Sequence, residues 1–194
     1  LARAWGQPIV EVANGWIGRP GYPVVSLALD GDTVTLSQRR FWSDPAKFES
    51  DRGEPWLVPV VLRWADDRGT HETRTLLRDA ADRITLGASG PVRFVCANAG
   101  GAGFYRVRYE GRALAMMADA GESLVPAERM NLVADAWALF RAGAAPLSDV
   151  LRLLTAFSRD TDYVVLNEVI GRWDLLERRF VADEDRKMLQ SIVA

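Results

Sequence analysis

The stretch Phe104-Tyr105-Arg106-Val107-Arg108-Tyr109-Glu110-Gly111-Arg112 marks the point at which the sequence pattern changes. Up to Tyr109, bulky residues alternate with arginines, a two-residue period that predicts a strand. Tyr105, Val107 and Tyr109 would point inward, and the arginines outward or into an interface. Beyond Arg112, apolar residues recur every three or four positions, as in amphipathic helices. We therefore expect an α+β chain whose strands and helices are segregated on either side of this boundary.

Before the boundary, short runs of strand-forming residues are separated by turn residues. The predicted strands cover residues 23–29, 33–41, 57–64, 70–77, 83–86, 92–97 and 104–109. Asp30-Gly31-Asp32 and Asp66-Asp67-Arg68-Gly69 predict hairpin turns within the first two pairs. About seven short strands at this spacing favour a β-sandwich. Pro59 has no N–H for a strand ladder, so we expect its strand to lie at a sheet edge or to bulge there.

After the boundary, the sequence predicts a series of helices joined by short loops. The first begins at Pro126 and ends near Gly143, and the second opens at Pro146. Thr161 is a suitable N-cap for a third helix, and Asp183 for a fourth. Short loops between amphipathic helices favour antiparallel neighbours, in an α-helical bundle or a partial α-solenoid.

Composition and charge exclude several classes of protein. The chain has 194 residues, of which 48% are hydrophobic and 26% charged, and this balance is typical of a globular protein. A net charge of −2 provides no field for nucleic acid or an anionic membrane. No apolar run approaches the roughly 20 residues of a membrane-spanning helix. The single cysteine, Cys96, cannot form an internal disulfide and is expected to be a buried, inert thiol.

The N-terminal residues suggest that the chain is cut from a longer protein. The first residue is Leu1 and not a start methionine, and the following residues do not form a signal-peptide core. We expect a cytoplasmic location.

A search for catalytic residues finds none. The sole histidine, His71, is followed by glutamate, but Thr75 stands where a zinc-peptidase helix would place its second histidine. His71 is therefore expected to be an exposed strand residue. The glycine-rich segment 98–103 has the wrong spacing for a phosphate-binding loop and precedes a strand, so it predicts a flexible turn. Trp137 and Trp173 are expected in the core, and Trp56 and Trp64 in the core or at a domain contact.

Six short motifs occur in the order typical of one family. They are Trp16-Ile17-Gly18-Arg19-Pro20-Gly21-Tyr22-Pro23-Val24-Val25, Leu36-Ser37-Gln38-Arg39-Arg40-Phe41, Trp56-Leu57-Val58-Pro59-Val60, Asn98 followed by Gly103-Phe104-Tyr105-Arg106-Val107-Arg108-Tyr109, Glu128-Arg129 with Leu132 and Asp135, and Asp162-Tyr163-Val164-Val165. Together they cover about residues 16–165. In this order they resemble the region C-terminal to the catalytic domain of aminopeptidase N-like zinc metallopeptidases, the gluzincin aminopeptidases.

The resemblance implies an organisation and a set of contact residues. Residues 1–18 would be the last helix of the catalytic domain, 19–112 a β-sandwich domain, and 113–194 the first part of a C-terminal helical domain. The residues expected to make structural and interdomain contacts are Trp16, Gly21, Tyr22, Pro23, Gln38, Arg40, Phe41, Trp56, Pro59, Asn98, Gly103, Tyr105, Arg106 and Tyr109. Arg40 and Arg106 would pair with acidic side chains at an interface, for orientation more than for stability.

The same resemblance locates the chemistry outside this chain. The family's H-E-x-x-H motif, third zinc ligand and G-x-M-E-N loop match no position here, so we expect no catalytic and no metal-binding residue in this part. In the whole enzyme, zinc-activated water would attack the first peptide bond of an oligopeptide, with a glutamate as general base. The expected partners are the upstream catalytic domain and oligopeptide substrates, with no nucleic acid and no membrane.

An alternative interpretation is a stand-alone β-sandwich module that binds carbohydrate or protein. It requires a groove with Trp42 and Trp56 exposed. The fragment interpretation requires instead that Trp5, Trp16 and nearby apolar residues lie in an exposed patch or a disordered end, because their partner surface is absent. A fully buried Trp16 would contradict it.

Overall fold

The computed structural model describes residues 9–51 and 53–181, and it confirms the α+β class. The strands are β1 (Pro23–Asp30), β2 (Thr33–Arg40), β3 (Val58–Asp66), β4 (Gly69–Leu77), β5 (Ala81–Thr85), β6 (Phe94–Cys96) and β7 (Arg106–Tyr109). The helices are α1 (Ile9–Ile17), α2 (Pro45–Ser50), α3 (Arg112–Asp119), α4 (Pro126–Arg141), α5 (Leu147–Ala156) and α6 (Tyr163–Phe180). Trp5 and the helix predicted after Asp183 lie outside the described residues.

The strands form two sheets. The first has the order β5-β2-β1-β7, in which β7 runs parallel to β1 and the other pairs are antiparallel. The second has the order β4-β3-β6 and is antiparallel throughout. Both predicted hairpins form, since Asp30 pairs with Thr33 and Asp66 pairs with Gly69.

Both sheets contribute side chains to one buried apolar cluster. Its strand members include Val25, Leu27, Val34 and Leu36 from the first sheet and Val58, Val60, Leu62 and Trp64 from the second. Every second residue of β1 through Leu27 and of β2 and β3 is buried, as the two-residue period of a strand requires. The inner faces of the two sheets therefore share a core.

Pro59 occupies the central strand of the second sheet, which differs from the expected edge or bulge. The ladder between β3 and β6 covers only residues 63–65, so Pro59 has a strand neighbour on the β4 side alone. The Ala65 carbonyl accepts a hydrogen bond from the Arg93 N–H on the β6 side. N–H directions alternate along a strand, and Pro59 lies an even number of residues before Ala65. The nitrogen of Pro59 therefore also faces the β6 side, at a point that β6 does not reach. The proline therefore interrupts no ladder.

Two helices appear that the periodicity did not predict. Helix α2 has only six residues, too few to show a period, but it has a standard start: Pro45 follows Asp44, whose Oδ1 accepts the Ala46 N–H at 3.0 Å. Helix α3 buries Ala113, Leu114, Met117 and Ala118, which lie on one helical face. It falls directly on the boundary between the two periods, where neither pattern is long enough to recognise.

The helices α3–α6 pack together and against both sheets, through β6 of the second sheet and through β1 and β7 of the first. Their buried cluster includes Met117, Trp137, Leu153 and Val165, together with Phe94 of β6. Helix α4 begins at Pro126 as predicted, and Gly143 follows its end with a φ of 68°. The N-cap predicted at Thr161 is wrong by one residue. Asp162 is the cap, because its Oδ1 accepts the Val164 N–H at 2.9 Å.

Two aromatic side chains differ in how far they are buried. Trp137 is buried in the helical cluster, as predicted for the core. Trp173, also predicted for the core, is only half-buried and packs against the edge of that cluster. Cys96 is buried as predicted, and this burial raises the pKa of its thiol to about 12.

Candidate functional site

Two buried carboxylates join the helices to the sheets. Helix α4 carries two buried carboxylates, Glu128 and Asp135, seven residues apart. Seven residues are almost two helical turns, so both side chains lie on one face of α4. Each carboxylate bonds an arginine of a different sheet. Helix α4 is thereby attached to both sheets at once.

Asp135 binds β7 in the first sheet. Its Oδ1 accepts a hydrogen bond from Arg106 Nη1 at 3.0 Å, and its Oδ2 accepts the Val107 N–H at 2.8 Å. Strand β7 is the edge of its sheet, so the carboxylate replaces the missing strand neighbour at Val107. Burial raises the pKa of Asp135 to about 6, although both donors favour the charged form. Arg106, for which an acidic partner was predicted, thus pairs with an acid of α4.

Glu128 binds β3 in the second sheet and two loops besides. Its Oε1 accepts Arg63 Nε at 2.9 Å and the Gly100 N–H at 3.0 Å. Its Oε2 bonds Arg63 Nη2 and accepts the Val125 N–H at 3.0 Å, which caps the start of α4. Burial by itself would raise the pKa of Glu128, but these donors lower it below its ordinary value. The segment 98–103, predicted as a flexible turn, is thus held to α4.

A third ion pair joins helices to each other. Arg129 Nε lies 2.6 Å from Asp160 Oδ2, and its Nη2 lies 3.0 Å from Oδ1, so the pair is bidentate. Arg129 also bonds the carbonyl of Leu124. The pair connects the start of α4 to the loop between α5 and α6.

Three of the aromatic residues predicted for interdomain contact, Trp16, Tyr22 and Phe41, form a cluster with Phe104 at α1. Tyr22 stacks on Phe41 with ring centroids 5.4 Å apart, and Phe104 meets both Tyr22 and Trp16 edge-on. Arg106 lies over the Phe41 ring and donates from Nε to Tyr22 Oη at 3.2 Å. Trp16 is half-buried and donates from Nε1 to the Leu57 carbonyl at 3.0 Å. Its partial exposure agrees with the requirement that Trp16 not be fully buried.

This cluster borders an apolar cleft and an exposed apolar patch. The cleft measures about 290 Å³ and is lined by Val12 and Trp16 of α1, by Val61 of β3, and by Phe104 among others. Phe104, which lines the cleft, is 73% exposed, and Val10 and Ile17 of α1 are 73% and 85% exposed. We call these three side chains the α1 patch.

Several predicted site residues serve the interior of the sheets. Gln38 is buried, accepts the Trp56 N–H at 2.9 Å and donates to the Trp56 carbonyl at 2.8 Å. Tyr105 donates from Oη to the Ala97 carbonyl at 2.7 Å, and Tyr109 Oη accepts the Ala97 N–H at 3.1 Å. These contacts fix the chain on either side of the β6–β7 connection.

The glycine and proline positions at the strand ends have steric reasons. Asn98 donates to the Gly103 carbonyl and accepts its N–H, which closes the loop. A Cβ at Gly103 would lie 2.1 Å from the Tyr105 ring, so only glycine fits there. Gly21 has a φ of 87° and leads into β1, which begins at Pro23.

For the ring side chains, one prediction is confirmed and one needs correction. Trp56 is 1% exposed, as predicted for the core, so the groove that the alternative interpretation required, with Trp42 and Trp56 exposed, does not form. Arg40 lies 5.3 Å from the Trp56 ring centroid and covers it; it also pairs with an acid, Asp51, at 3.9 Å. His71 is half-buried, not exposed, because it stacks on Trp64 and its Nε2 lies 2.8 Å from Asp66 Oδ1.

The His71 environment does not form a hydrolytic triad. Asp66 stands between His71 and Ser89, whose Oγ lies 3.0 Å from Asp66 Oδ2, so histidine and serine each bond the carboxylate. Hydrogen bonds from Ser89, His71 and Arg68 hold the pKa of Asp66 well below its usual range. Within residues 9–51 and 53–181, no three His, Cys, Asp or Glu side chains converge into a group suited to a metal ion.

Sequence reasoning missed the two carboxylates that attach α4 to the sheets. A signal existed: Glu128 stands three residues after Val125 at the helix start, the spacing of a capping glutamate, and Asp135 follows on the same face. No helix among the described residues combines the length and apolarity needed to cross a bilayer.

The chain is therefore an α+β protein in which buried ion pairs join one helix to both sheets. Comparison with known sequences identifies its family. The family model described as ERAP1-like C-terminal domain matches residues 94–194. The chain belongs to this family and represents the C-terminal region of M1 aminopeptidases, as the resemblance predicted.

Similar proteins come from distant organisms. The chain is 31% identical over 171 residues to the puromycin-sensitive aminopeptidase of Caenorhabditis elegans, which covers 85% of this chain and 18% of that protein. It is 30% identical over 183 residues to aminopeptidase M1 of Arabidopsis thaliana, covering 86% and 20%. It is 28% identical over 201 residues to aminopeptidase N of Lactococcus lactis, covering 100% and 22%. The chain thus spans about a fifth of the length of these relatives.

Proposed function

We propose that this chain is a non-catalytic structural part of a zinc-dependent aminopeptidase that removes N-terminal amino acids from peptides. Residues 1–18 belong to the end of the catalytic domain, 19–112 form a seven-stranded sandwich, and 113–194 begin a helical domain arranged as a bundle or partial α-solenoid. The sandwich acts as a strut, and the helices cap the active-site cavity. The observation that carries this proposal is the double attachment of α4 through Glu128 and Asp135.

A strut must hold its two ends in a fixed relative orientation. One ion pair would leave α4 free to rotate about a single point, whereas two pairs almost two turns apart fix both its position and its direction. Both carboxylates are buried and also accept backbone N–H groups, so each contact has a defined geometry. The helices after residue 113 therefore keep a constant placement relative to both sheets.

The α1 patch supports an upstream catalytic domain as the partner. Val10 and Ile17 are exposed on α1, and Phe104 is exposed at the cleft in which α1 meets the second sheet. Large exposed apolar side chains of this kind are typical of a contact surface. We propose that the catalytic domain of the same polypeptide covers the patch, and that it supplies the zinc and binds the oligopeptide. The whole protein is cytoplasmic and binds neither nucleic acid nor membrane.

The stand-alone carbohydrate module is not favoured. Its aromatic platform required an exposed Trp56, but that ring is covered by Arg40 and Trp16. Trp42 donates from Nε1 to Asp51 at 2.5 Å, which holds its ring at the α2 side of the strand end. A sugar could not stack on both rings.

Two experiments test the proposal. The first measures hydrolysis of an aminoacyl-nitroanilide by the 194-residue chain with added zinc, and we expect no turnover above background. Turnover that a chelator abolishes would contradict a non-catalytic role.

The second experiment measures binding of this chain to the separately expressed polypeptide encoded upstream of it. We expect Ile17→Ser and Phe104→Ser each to weaken binding by about tenfold, since each removes one large apolar side chain that the partner would bury in the complex. Tyr163→Ser is the matched control, because Tyr163 is equally exposed (80%) but lies at the start of α6. Equal effects of all three substitutions, or no binding at all, would contradict the proposed contact.

A further inference from the structure

The outer edge of β4 is the longest strand edge among the described residues. Of the four strands at sheet edges, β5, β6 and β7 have five, three and four residues, whereas β4 has nine. Its sequence, Gly69-Thr70-His71-Glu72-Thr73-Arg74-Thr75-Leu76-Leu77, contains no proline and no lysine, two residues that commonly protect edges. Within residues 9–51 and 53–181, no strand pairs with this edge.

The register of the sheet shows which residues present their backbone outward. The Ala65 carbonyl points toward β6, because it accepts the Arg93 N–H, and Ala65 is the β3 partner of Thr70. In an antiparallel pair that is not hydrogen-bonded, both residues direct N–H and C=O away from each other. Thr70 therefore directs its backbone groups outward. By alternation, so do residues 72, 74 and 76.

The charges along this edge match those along the same edge of a second copy of the chain. Glu72 and Arg74 share the exposed sheet face, with Arg74 Nη2 2.8 Å from Glu72 Oε1. If two copies pair antiparallel about a two-fold axis at Thr73, each Glu72 faces Arg74 of the other copy. Both members of that pair direct N–H and C=O outward, so they form a hydrogen-bonded pair, and Thr73 faces Thr73 between them.

The neighbouring symmetric registers are disfavoured. An axis at residue 72 places two glutamates opposite each other, and an axis at residue 74 places two arginines opposite each other. Directly opposed like charges destabilise strand pairing. Only the register centred on Thr73 combines outward hydrogen-bonding groups with opposite charges.

We propose that the outer edge of β4 is an interaction surface for a second copy of this chain, which joins the two three-stranded sheets into one six-stranded sheet across a two-fold axis. This inference is independent of the proposed aminopeptidase role. A strand-edge contact buries little area, so the association is expected to be weak and reversible.

The test is sedimentation velocity of the 194-residue chain at concentrations from about 1 µM to 1 mM, the range of weak association. We expect a reversible dimer. Glu72→Arg and Arg74→Glu each turn both opposed pairs into like charges, and each should weaken self-association by roughly tenfold or more. The double exchange, Glu72→Arg with Arg74→Glu, restores opposite charges and should restore the dimer.

Mixing the two single variants provides the decisive control. The Glu72→Arg chain carries two arginines at this edge and the Arg74→Glu chain two glutamates, so the mixture should form a heterodimer tighter than either homodimer. Glu72→Pro removes one outward N–H without touching the β3 ladder and should also abolish the dimer. A wild-type chain that stays monomeric overturns the proposal, as does a dimer that the charge variants leave unchanged.

Discussion

Glu128 and Asp135 lie on one face of α4, and each receives an arginine from a different sheet. Arg63 of the β4-β3-β6 sheet bonds Glu128, and Arg106 of the β5-β2-β1-β7 sheet bonds Asp135. Two carboxylates of a single helix therefore bond side chains of both sheets. This arrangement leads to separate expectations for the two junctions, because their surroundings differ.

Glu128→Ala should lower the free energy of unfolding by about 3 kcal/mol, the scale of breaking a buried ion pair. The change leaves Arg63 half-buried without its carboxylate and removes the acceptor of the Gly100 and Val125 N–H groups. Urea denaturation followed by circular dichroism provides the measurement. Glu168→Ala is the control: it breaks a more exposed pair with Arg172 within α6 and should cost about 0.5 kcal/mol or less. Equal losses would show that the Glu128 junction contributes no more than a surface pair.

Asp135 should make stability fall as pH rises. Its folded pKa of about 6 lies above the value of about 3.9 expected in the unfolded chain. A raised folded pKa contributes stability that is fully present below the unfolded pKa and is lost as pH rises through about 6. Relative to Asp135→Asn, the wild type should therefore lose on the order of 2–3 kcal/mol between pH 4 and pH 7.

The measurement is the difference in unfolding free energy between wild type and Asp135→Asn at several pH values, because other titrating groups cancel in that difference. If the wild type instead gains stability over this range, Arg106 outweighs burial, and the carboxylate ionises more readily in the folded chain than in the unfolded one.

Asp66 should behave in the opposite sense. Its pKa is lowered in the folded chain by hydrogen bonds from Ser89, His71 and Arg68. A lowered folded pKa contributes stability above the unfolded pKa, and that stability is lost as pH falls. Asp66→Asn should therefore lower the melting temperature at pH 7 and have less effect below about pH 3. Asp67→Asn, in the same turn but exposed, should change little at either pH. A loss that is the same at both pH values would mean that the charge of Asp66 is unimportant.

Gly103→Ala should destabilise the chain by about 1–3 kcal/mol, because its Cβ would lie 2.1 Å from the Tyr105 ring. Thermal unfolding measures the loss. The matched substitution is Gly171→Ala in α6, where nothing lies within 4 Å and a helix-favouring residue should stabilise by about 0.5–1 kcal/mol. If both substitutions act in the same direction, the steric account of Gly103 is wrong.

Much of the fold could be predicted because its causes are local. The alternation of Tyr105, Arg106 and Val107 predicted a strand with its arginines outward or at an interface, and Arg106 pairs with Asp135 of α4. The turns at Gly31 and Gly69 follow from glycine's tolerance of positive φ. The start of α4 at Pro126 follows from proline's fitness for a first helical turn.

The errors arise where long-range contacts outweigh local patterns. His71 has the alternation of an exposed strand residue, but Asp66 and Trp64 hold it half-buried. Pro59 reads as an edge residue, although its strand is central, because the length of β6 is not encoded near Pro59. Trp173 lies on an apolar stripe of α6 but is only half-buried, because an apolar stripe does not determine how completely the neighbouring elements cover each of its residues.

The sequence by itself determined where the seven strands and the longer helices lie, how several of them begin and turn, and the family to which the motifs point. These features depend on residues within a few positions of one another. Only the tertiary structure decided that Glu128 meets Arg63, 65 residues away, that Asp135 completes the edge of β7, and that Trp56 is covered. Pairing and burial at such separations depend on how the whole chain packs, and local periodicity carries no information about which distant surfaces approach.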